Sequence, residues 1–446
     1  MGEGTVFVAG AGPAGLFAAR KIAAAGYQVA IFNRDIRPGG LAEYGIYPVK
    51  HHMKSGLRKQ FAKILAMPNV RYFGNVTVGT QGLLTVDSLA AWQPDAIVFA
   101  VGAQGTKKLG LPGEDCSGVY SAKDFVYYYN RLPPFSTQDF STGRRVAVIG
   151  MGNVMVDIVR WLLIDQPGDK PEEVTVIARR GPFEVKFDSK EFDYVESYLD
   201  RKLFRDELKR VAEAVAAAGQ DVSKVEETAF PWIKTEPEVA QQSKLTFRFL
   251  SSPVEIIPSE SGRIGRLKVV ANALVRAGED TKARATDQQT DLDFDTLIFA
   301  IGDVADPSLG LPYANNTYVC NPDCATSDCG AYQVFDSASG NILHGLYLVG
   351  WARKASEGLV GKARFDAEHG CEHVLKFLEG KPDRSSQDLD EVYRELCVEG
   401  TAIVTKEEVT RLQEAESQAG QALNNPEFRY ATNAEMLQAM HAEVLV

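Results

Sequence analysis

The chain has 446 residues, of which 45% are hydrophobic and 24% charged, with a formal net charge of −11. This length fits two or three globular domains, and the acidic balance argues against a protein that binds nucleic acid or anionic membranes. Six cysteines are too few for a disulfide scaffold, and the absence of a secretory signal or an apolar run of membrane-spanning length predicts a cytoplasmic protein without a membrane span.

The first residues carry the pattern of a dinucleotide-binding unit. Thr5–Ala9 predicts a strand, and the glycine-rich loop Gly10–Gly15 follows it directly. An alanine-rich stretch from Leu16 to Ala25 predicts a helix that ends at Gly26, and Gln28–Phe32 predicts the next strand. Strand, glycine loop, helix and strand in succession favour a nucleotide site over a glycine-rich turn without a ligand.

Each glycine of this loop has a physical role in holding a diphosphate. Gly10 permits a tight turn, Gly12 allows the diphosphate to approach the backbone, and Gly15 lets the helix pack closely against the strand. The helix begins near Pro13 and Ala14, and its positive end favours an anion. These residues are therefore predicted to bind a cofactor.

The adenosine end of this first site departs from the usual pattern. An acidic residue commonly ends the second strand and binds the ribose, but here Phe32 is followed by Asn33, Arg34 and Asp35. Asn33 can hydrogen-bond a ribose hydroxyl, and Asp35 is the nearest acid. Ribose binding at Asn33 and Arg34 is the resulting prediction.

A second unit of the same kind begins at Arg145. Arg145–Ile149 predicts a strand, the loop Gly150-Met-Gly152 follows, and Val154–Ile164 predicts a helix. Val174–Ala178 predicts the following strand. Two such units indicate two nucleotide-binding domains.

The second loop is less regular but is followed by two arginines. Met155 stands where a third glycine or another small residue is usual, which leaves an ordinary strand-to-helix turn as an alternative. Arg179 and Arg180 come directly after the next strand, where the 2′-phosphate of NADPH would lie. Because guanidinium groups bind phosphate and an NADH site favours an acid there, the pair favours NADPH over a merely solvated basic pair.

A short sequence pattern that occurs twice suggests where the chain passes between the domains. Asp95–Gly102 resembles Asp295–Gly302, and each is a buried-strand pattern that ends in glycine. We therefore predict an α/β fold with two Rossmann-like domains, the second inserted into the first. The predicted boundaries are residues 1–105 and 304–446 for the first domain and 106–303 for the second.

Seven stretches, taken together and in order, resemble one family. They are Gly10–Gly15, Gly39–Ile46, Pro112–Pro133, Gly152–Asp157, Arg179–Pro182, Gly350–Lys354 and Gly358–Val360. This set is similar to the adrenodoxin-reductase type of ferredoxin–NADP reductase, whose wider relatives include the glutamate synthase small subunit. The resemblance implies that the first domain binds FAD and the inserted domain NADPH. It also implies that hydride passes between NADPH and FAD, and that electrons pass on to a ferredoxin-type iron–sulfur protein.

The resemblance also implies roles for residues outside the first loop. Trp351 and the backbone of Gly358–Val360 would lie against the flavin ring, Asn153 and Val154 would contact the NADP diphosphate, and Arg179 and Arg180 its 2′-phosphate. The full predicted cofactor-binding set is Gly10, Gly12, Pro13, Ala14, Gly15, Asn33, Arg34, Gly40, Leu41, Gly102, Gly150, Gly152, Asn153, Val154, Arg179, Arg180, Gly350, Trp351, Gly358, Leu359 and Val360.

Four residues are predicted to act near the chemistry. Asp157 and Glu191 are carried over as polar groups near the domain interface. Lys50 stands where the family often has a histidine near the flavin, with His51 and His52 beside it. Glu357 stands where the family has threonine, close to the expected nicotinamide site. These departures could alter the electron acceptor.

Two further clusters permit alternative interpretations. Cys320, Cys324 and Cys329 lack the fourth ligand and the close spacing of a metal or iron–sulfur site, so free thiols or a loop disulfide are favoured and no metal is predicted. The basic stretch Arg201–Arg210 is interpreted as a solvated helix face, with a dock for an acidic ferredoxin as the alternative.

The sequence leaves two alternative functions for the chain as a whole. They are an NADPH-dependent reductase of a small molecule such as a quinone, and an electron-input subunit of a larger complex.

Overall fold

A computed structural model describes residues 4–231, 241–278, 280–322, 331–354, 360–381, 387–397 and 401–441. The chain divides into two compact units. Unit 1 comprises Met1–Thr106, Tyr127–Thr137 and Gly302–Val446, and unit 2 comprises Lys107–Val126 and Gln138–Ile301.

The strands that the structure describes are β1 (Thr5–Ala9), β2 (Gln28–Asn33), β3 (Val70–Gly74), β4 (Ala96–Phe99), β5 (Gly105–Thr106), β6 (Val119–Ser121), β7 (Arg145–Ile149), β8 (Glu173–Ile177), β9 (Lys244–Arg248), β10 (Ser251–Pro258), β11 (Ile264–Ala277), β12 (Asp280–Asp293), β13 (Thr296–Phe299), β14 (Asp303–Val304), β15 (Tyr313–Ala314), β16 (Thr317–Tyr318), β17 (Gln333–Asp336) and β18 (Asn341–Leu348).

The described α-helices are α1 (Pro13–Ala24), α2 (Leu41–Tyr44), α3 (His51–Leu65), α4 (Val86–Ala91), α5 (Ala122–Tyr129), α6 (Asn153–Arg160), α7 (Ser189–Phe192), α8 (Arg201–Ala217), α9 (Val225–Thr228), α10 (Val360–Glu379), α11 (Leu389–Leu396), α12 (Lys406–Ala422) and α13 (Asn433–His441). The predicted strand Arg145–Ile149 is confirmed at both ends, and the first helix begins at Pro13, as predicted.

Unit 1 is built on a six-stranded sheet with the order β17-β18-β4-β1-β2-β3. All neighbouring pairs are parallel except β17 with β18. The central strand β1 is buried throughout, with the pattern of a strand covered on both faces. Helix α1 packs against α10 on one face, and its alanines and glycine permit that close approach. The other face buries Phe7, Phe32 and Phe73.

Unit 2 is built on a five-stranded parallel sheet with the order β6-β13-β7-β8-β9. One face buries Ile149 and Ile177 against residues of the antiparallel sheet β10-β11-β12. An aromatic cluster that includes Phe204, Phe230 and Phe247 lies alongside this sheet, with ring centroids 4.8–5.7 Å apart. The unit 2 sheet is parallel and the unit 1 sheet is parallel except for β17, each has a strand–loop–helix unit at its centre, and the predicted α/β class with two Rossmann-like units is confirmed.

Residues 127–137 belong to unit 1 rather than to unit 2. Their position in the sequence predicts that they lie in the inserted domain, between residues 106 and 303. Tyr127 and Leu132 share an apolar cluster with Tyr44 of α2, and Asn130 accepts a hydrogen bond from the Lys54 ammonium at 2.8 Å. These contacts join the segment to residues far away in the sequence, which explains why its position along the chain did not reveal them.

Candidate functional site

The first glycine loop, between β1 and α1, has the geometry that a diphosphate requires. Gly10 has φ +103°, and a Cβ there would lie 2.6 Å from the Ala100 carbonyl oxygen. A Cβ at Gly15 would lie 1.9 Å from the Gly10 carbonyl oxygen, so only glycine lets the helix start this close to the strand. Around Gly12, by contrast, a Cβ would meet no atom of the described residues within 4 Å. The loop is therefore packed tightly on its inner side and open at Gly12.

The start of α1 presents backbone N–H groups beside this opening. Gly12 is its N-cap residue and Pro13 follows within the first turn, and among the described residues no side chain accepts a hydrogen bond from this end. The first N–H groups of a helix have no partner within the helix, and they carry its positive end. The backbone around Gly12 and Ala14 therefore forms an anion cradle that suits a diphosphate.

Asn33 supports this loop from inside. Its Oδ1 accepts the Ala11 N–H at 2.9 Å, and its Nδ2 donates to the carbonyl oxygens of Asp35 and Arg37 at 2.7 and 3.0 Å. Asn33 is also buried. Its amide hydrogens are thus already used, and a ribose hydroxyl could reach only its oxygen. Ribose binding at Asn33 stays a prediction, with loop support as the role that the geometry displays.

The neighbouring predicted residues lie around the same opening. Gly40 has φ +49°, and a Cβ there would approach Gly12 Cα to 3.0 Å; Leu41 begins α2 directly after it. Arg34 donates to Asp35 at 3.0 Å and to Gln104 at 3.2 Å, and the Asp35 charge raises its pKa. The structure therefore brings Gly40 and Leu41 to the cradle, while the Arg34 guanidinium already has protein partners.

A sharp turn at Gly350 reaches the same helix start. Gly350 has φ +65°, and a Cβ there would lie 2.5 Å from the Ala14 Cβ. Trp351 follows in the short 3₁₀ turn Gly350–Ala352. The turn is held from α10, because the Gly350 N–H donates to Asp366 Oδ2 at 2.6 Å. Val360 begins α10, whereas Glu357, Gly358 and Leu359 lie outside the described residues.

Replacing Gly350 by alanine is expected to weaken FAD binding by about tenfold or more. The added methyl group would collide with Ala14, and a left-handed backbone costs a residue with a Cβ roughly 1–2 kcal/mol. The apparent dissociation constant of FAD, titrated onto the apoprotein, measures this effect. Gly56→Ala is the matched control, since Gly56 lies inside α3 with open space around its Cβ, and it should bind FAD normally.

The second glycine loop, between β7 and α6, repeats the first. Gly150 has φ +125°, with its would-be Cβ 2.3 Å from the Ala300 carbonyl oxygen, and at Gly152 a Cβ would meet no described atom within 4 Å. Met155, at the irregular third position, is fully buried, so the longer side chain packs into the core of unit 2. The departure at Met155 therefore leaves the open position at Gly152 in place.

The first turn of α6 carries two predicted diphosphate contacts. Asn153 Oδ1 accepts the Asp188 N–H at 2.7 Å, which ties the helix start to the segment after β8. Val154 is exposed although it is apolar, which leaves the surface beside it accessible. Asp157 lies further along α6 and Glu191 lies in α7, and both are partly buried. Their predicted roles stay predictions.

Two arginines follow β8 at the carboxyl edge of the sheet. Arg180 donates to Asp280 Oδ1 at 3.0 Å and to the Thr281 carbonyl at 3.3 Å, so its guanidinium is held against β12. Arg179 is exposed, and no ion pair joins its guanidinium to another described residue. Of the two, Arg179 is the one that a phosphate could engage without displacing a protein partner.

Unit 1 also contains an ion-pair network that the sequence did not reveal. Arg58 contacts Glu43 at 2.7 Å and Glu427 at 3.0 Å, and Arg429 contacts Glu43 at 3.2 Å. Arg37 and Glu416 form a further buried pair, and a cavity of about 640 Å³ adjoins the network. The network joins α2, α3 and α12, and Glu43 comes three residues after Gly40. It therefore fixes the outer side of the cradle.

The network makes the stability of the protein sensitive to acid. Burial alone would raise the pKa of Glu43, but the hydrogen bonds and charges of Arg58, with Arg429 and Arg37, outweigh it and lower that pKa from 4.5 to about 2. Stabilisation on the order of 3 kcal/mol is thus present above pH 4.5 and is lost as the pH falls toward 2. Urea midpoints measured between pH 6 and pH 3 should fall, and Glu43→Gln should flatten this slope. An unchanged slope in that variant would contradict the assignment.

A buried lysine lies close to this network. Lys54 is one helical turn after Lys50, and its ammonium donates to Asn130 at 2.8 Å. Burial lowers its pKa to about 8, against the opposing charge of Glu43. Lys50 itself precedes α3 and is only partly buried. Its catalytic role stays a prediction. Because residues four apart lie on the same face of a helix, the sequence places Lys54 on the same side as Lys50.

The basic stretch of α8 is largely paired with acids. Arg201 is buried and contacts Glu196 at 3.1 Å, Arg205 contacts Glu226 at 3.4 Å, and Lys209 contacts Asp206 at 2.8 Å. This favours the solvated-helix interpretation over a ferredoxin dock.

Of the three cysteines in the Cys320–Cys329 cluster, one lies in the described part of the chain. The Cys320 thiol is free, and burial raises its pKa to about 11. Cys324 and Cys329 lie outside the described residues.

Among the described residues, no group of histidine, cysteine or acidic side chains could hold a metal ion. In the same part of the chain, no helix combines the length and apolar character needed to cross a membrane.

Comparisons with known proteins agree with this geometry. The family model for pyridine nucleotide-disulphide oxidoreductases matches residues 4–229. The NADPH-ferredoxin reductase FprA of Mycobacterium leprae is 28% identical over 98% of both chains. The mitochondrial NADPH:adrenodoxin oxidoreductase of Bos taurus is 25% identical over 98% of this chain and 92% of that protein.

The similarity extends to solved structures. Mycobacterium tuberculosis FprA in complex with NADPH superposes with a TM-score of 0.82 at 27% identity, covering 99% of this chain and all of that one. These relatives confirm the resemblance to adrenodoxin-reductase-type enzymes that the ordered motifs indicated. With two open glycine loops and a family match over half of its length, the chain belongs to the pyridine nucleotide-disulphide oxidoreductase family.

Proposed function

We propose that this chain is an FAD-dependent oxidoreductase that takes hydride from NADPH and passes electrons to a ferredoxin-type iron–sulfur protein. The observation that carries the proposal is the pair of glycine loops. Each begins a helix after a central parallel strand, and each is open at its second glycine, Gly12 or Gly152. Two separate diphosphate cradles match an enzyme that uses two dinucleotide cofactors.

The first cradle suits FAD. A Cβ at Gly12 would fill space that no described atom occupies, the α1 start presents N–H groups that no described side chain caps, and the Gly350 turn lies against Ala14. Gly12, Ala14 and Gly15 would bind the diphosphate, and Trp351 would lie against the flavin ring. When bound, FAD can accept a hydride and release its electrons singly, which suits delivery to a one-electron carrier.

The second cradle suits NADPH. Gly152, Asn153 and Val154 at the start of α6 would bind the diphosphate, and Arg179 would bind the 2′-phosphate with charge-assisted hydrogen bonds. The work of these residues is to bind and orient, since hydride transfer requires the two redox rings to be held in a defined geometry. Hydride transfer between the two bound cofactors requires neither a protein nucleophile nor a metal.

Cysteine positions support an iron–sulfur acceptor over a disulfide substrate. The first cysteine in the sequence is Cys116, so the segment after the first glycine loop, including Gly39–Ile46, contains no thiol. This segment therefore supplies no dithiol that could relay electrons to a disulfide. The named functions of the NADPH-ferredoxin and NADPH:adrenodoxin reductases support the same acceptor class.

The proposed compartment is the cytoplasm. The described cysteines Cys116, Cys320, Cys371 and Cys397 are free thiols, which suits a reducing environment.

The cofactors can be tested on the purified chain. We expect flavin absorbance bands that bleach on anaerobic addition of NADPH and respond far more weakly to NADH. A colourless protein that takes up no FAD would overturn the proposal.

The acceptor requires a separate assay. Steady-state reduction of a [2Fe–2S] ferredoxin should exceed reduction of a soluble quinone at equal concentration, and the isolated chain should be active without other subunits. Preference for the quinone would point to a small-molecule reductase, and activity only within a larger assembly would indicate an electron-input subunit. Charge reversal at Arg205 and Lys209 should leave ferredoxin reduction unchanged, because both side chains are already paired with acids.

A further inference from the structure

Asp366 connects two segments of unit 1 that are far apart along the chain. It lies in the second turn of α10, and its Oδ2 accepts the Gly350 N–H at 2.6 Å. The turn that it holds contains Trp351. The helix that carries it begins at Val360, about 9 Å away along the helix axis. One carboxylate therefore links the Gly350 turn to the first part of α10.

The carboxylate is enclosed by partners that fix its direction. Arg353 forms an ion pair with Asp366, and its guanidinium lies 4.2 Å from the centre of the Tyr332 ring. The Arg353 and Asp366 side chains are only 11% and 17% exposed, so solvent screens their charges little. Asp366 is therefore a charged group held in one geometry, with its charge balanced by a neighbour.

We propose that Asp366 is a positioning residue for the flavin ring, acting through the Gly350 turn and the start of α10. The inference rests on the proposed function, which places Trp351 against the flavin ring, and on the flavin contact that the family resemblance implies for the backbone at Val360. The backbone conformation at Gly350 is one that only glycine adopts easily, and its N–H has to be held in place for Trp351 to keep its position. The balanced pair Asp366–Arg353 also places two opposite charges near the expected flavin site.

Removing each of the two charges in turn should shift the FAD midpoint potential in opposite directions. A general loss of structure would not produce such opposite shifts. Asp366→Asn keeps the shape but leaves the Arg353 charge unbalanced, so the FAD midpoint potential should become more positive. Arg353→Gln leaves the Asp366 charge unbalanced, so the potential should become more negative. Asp366→Ala additionally leaves the Gly350 N–H without its acceptor and should raise the FAD dissociation constant by about tenfold. Glu368→Gln is the matched control, because Glu368 lies on the same helix and pairs with the more exposed Arg20 and Arg364.

Potentials, FAD affinity and thermal melting of each variant are measured together. Opposite shifts for Asp366→Asn and Arg353→Gln support the proposal, and so does weaker FAD binding by Asp366→Ala. Potentials and affinities within the range of Glu368→Gln would overturn it, even if the melting temperature falls. If Asp366→Ala does not fold, the two shape-conserving variants decide.

The outcomes also separate this inference from the proposed function. A wild-type chain that binds FAD but does not reduce ferredoxin would remove only the proposed acceptor, and the potentials would still decide the role of Asp366. A wild-type chain that binds no FAD would overturn both.

Discussion

Replacing Gly12 by valine should abolish FAD binding while the protein remains folded. Gly12 has φ −72°, a conformation that valine adopts without strain, and a Cβ added there would meet no described atom within 4 Å. The valine side chain would occupy the space above the α1 start where the diphosphate approaches the backbone. We expect FAD affinity to fall about 100-fold or more, with little change in the melting temperature of the apoprotein.

The second loop supplies a matched variant. Gly152 has φ −101° and equally open surroundings, so Gly152→Val should also fold. It should purify with its flavin bands intact but respond to NADPH only at about 100-fold higher concentration. Absorbance spectra and anaerobic NADPH titrations of the two variants distinguish the sites. Loss of FAD from both variants, or from neither, would contradict the assignment of one cofactor to each loop.

Replacing Arg179 by alanine should remove most of the preference for NADPH. Hydrogen bonds to a charged group contribute roughly 1.5–3 kcal/mol, which corresponds to a fall in kcat/KM for NADPH of about 10-fold to 100-fold. The value for NADH, which lacks the 2′-phosphate, should not change. Steady-state rates with a non-physiological acceptor such as ferricyanide measure both values without depending on ferredoxin.

Two further variants serve as controls for the effect of Arg179→Ala on the preference for NADPH. Arg144→Ala removes an exposed arginine at the opposite, amino-terminal end of β7 and should leave both cofactors unaffected. Arg180→Ala also breaks the contacts to Asp280 and Thr281, so it should lower the melting temperature as well as NADPH affinity. An Arg179→Ala enzyme with an unchanged NADPH-to-NADH ratio would show that the 2′-phosphate is bound elsewhere.

The local parts of the fold and site were predictable because their signals are contiguous in the sequence. Thr5–Ala9 and Arg145–Ile149 are apolar runs that precede glycine loops, and the structure places each inside a sheet with parallel neighbours on both sides. The glycine spacings also predicted which positions are open, since Gly12 and Gly152 lie beside empty space. Arg179 and Arg180 are predicted to bind the 2′-phosphate from their place after a strand, and that role stays a prediction.

Groups that depend on distant parts of the chain were not predictable in this way. Asp366 has no motif around it, and its role becomes visible only when α10 lies beside the Gly350 turn. Glu43 was inside a recognised segment, yet its partners Arg58 and Arg429 come from α3 and from a loop near the C-terminus. Asn33 is predicted to bind a ribose because of its position, and that stays a prediction; the sequence did not reveal its hydrogen bonds to neighbouring backbone.

The order of strands in the six-stranded sheet has a consequence for synthesis on the ribosome. The five strands of the unit 2 sheet all lie between Val119 and Phe299, so that sheet can form from a continuous stretch of nascent chain. The unit 1 sheet needs β18, which pairs Leu346 with Ile97 of β4. Until Leu348 has emerged, one edge of β4 stays unpaired and the surface of α1 that α10 covers stays exposed. The unit 1 sheet is therefore completed after the unit 2 sheet, and we expect FAD to bind only once β18 and α10 have been synthesised.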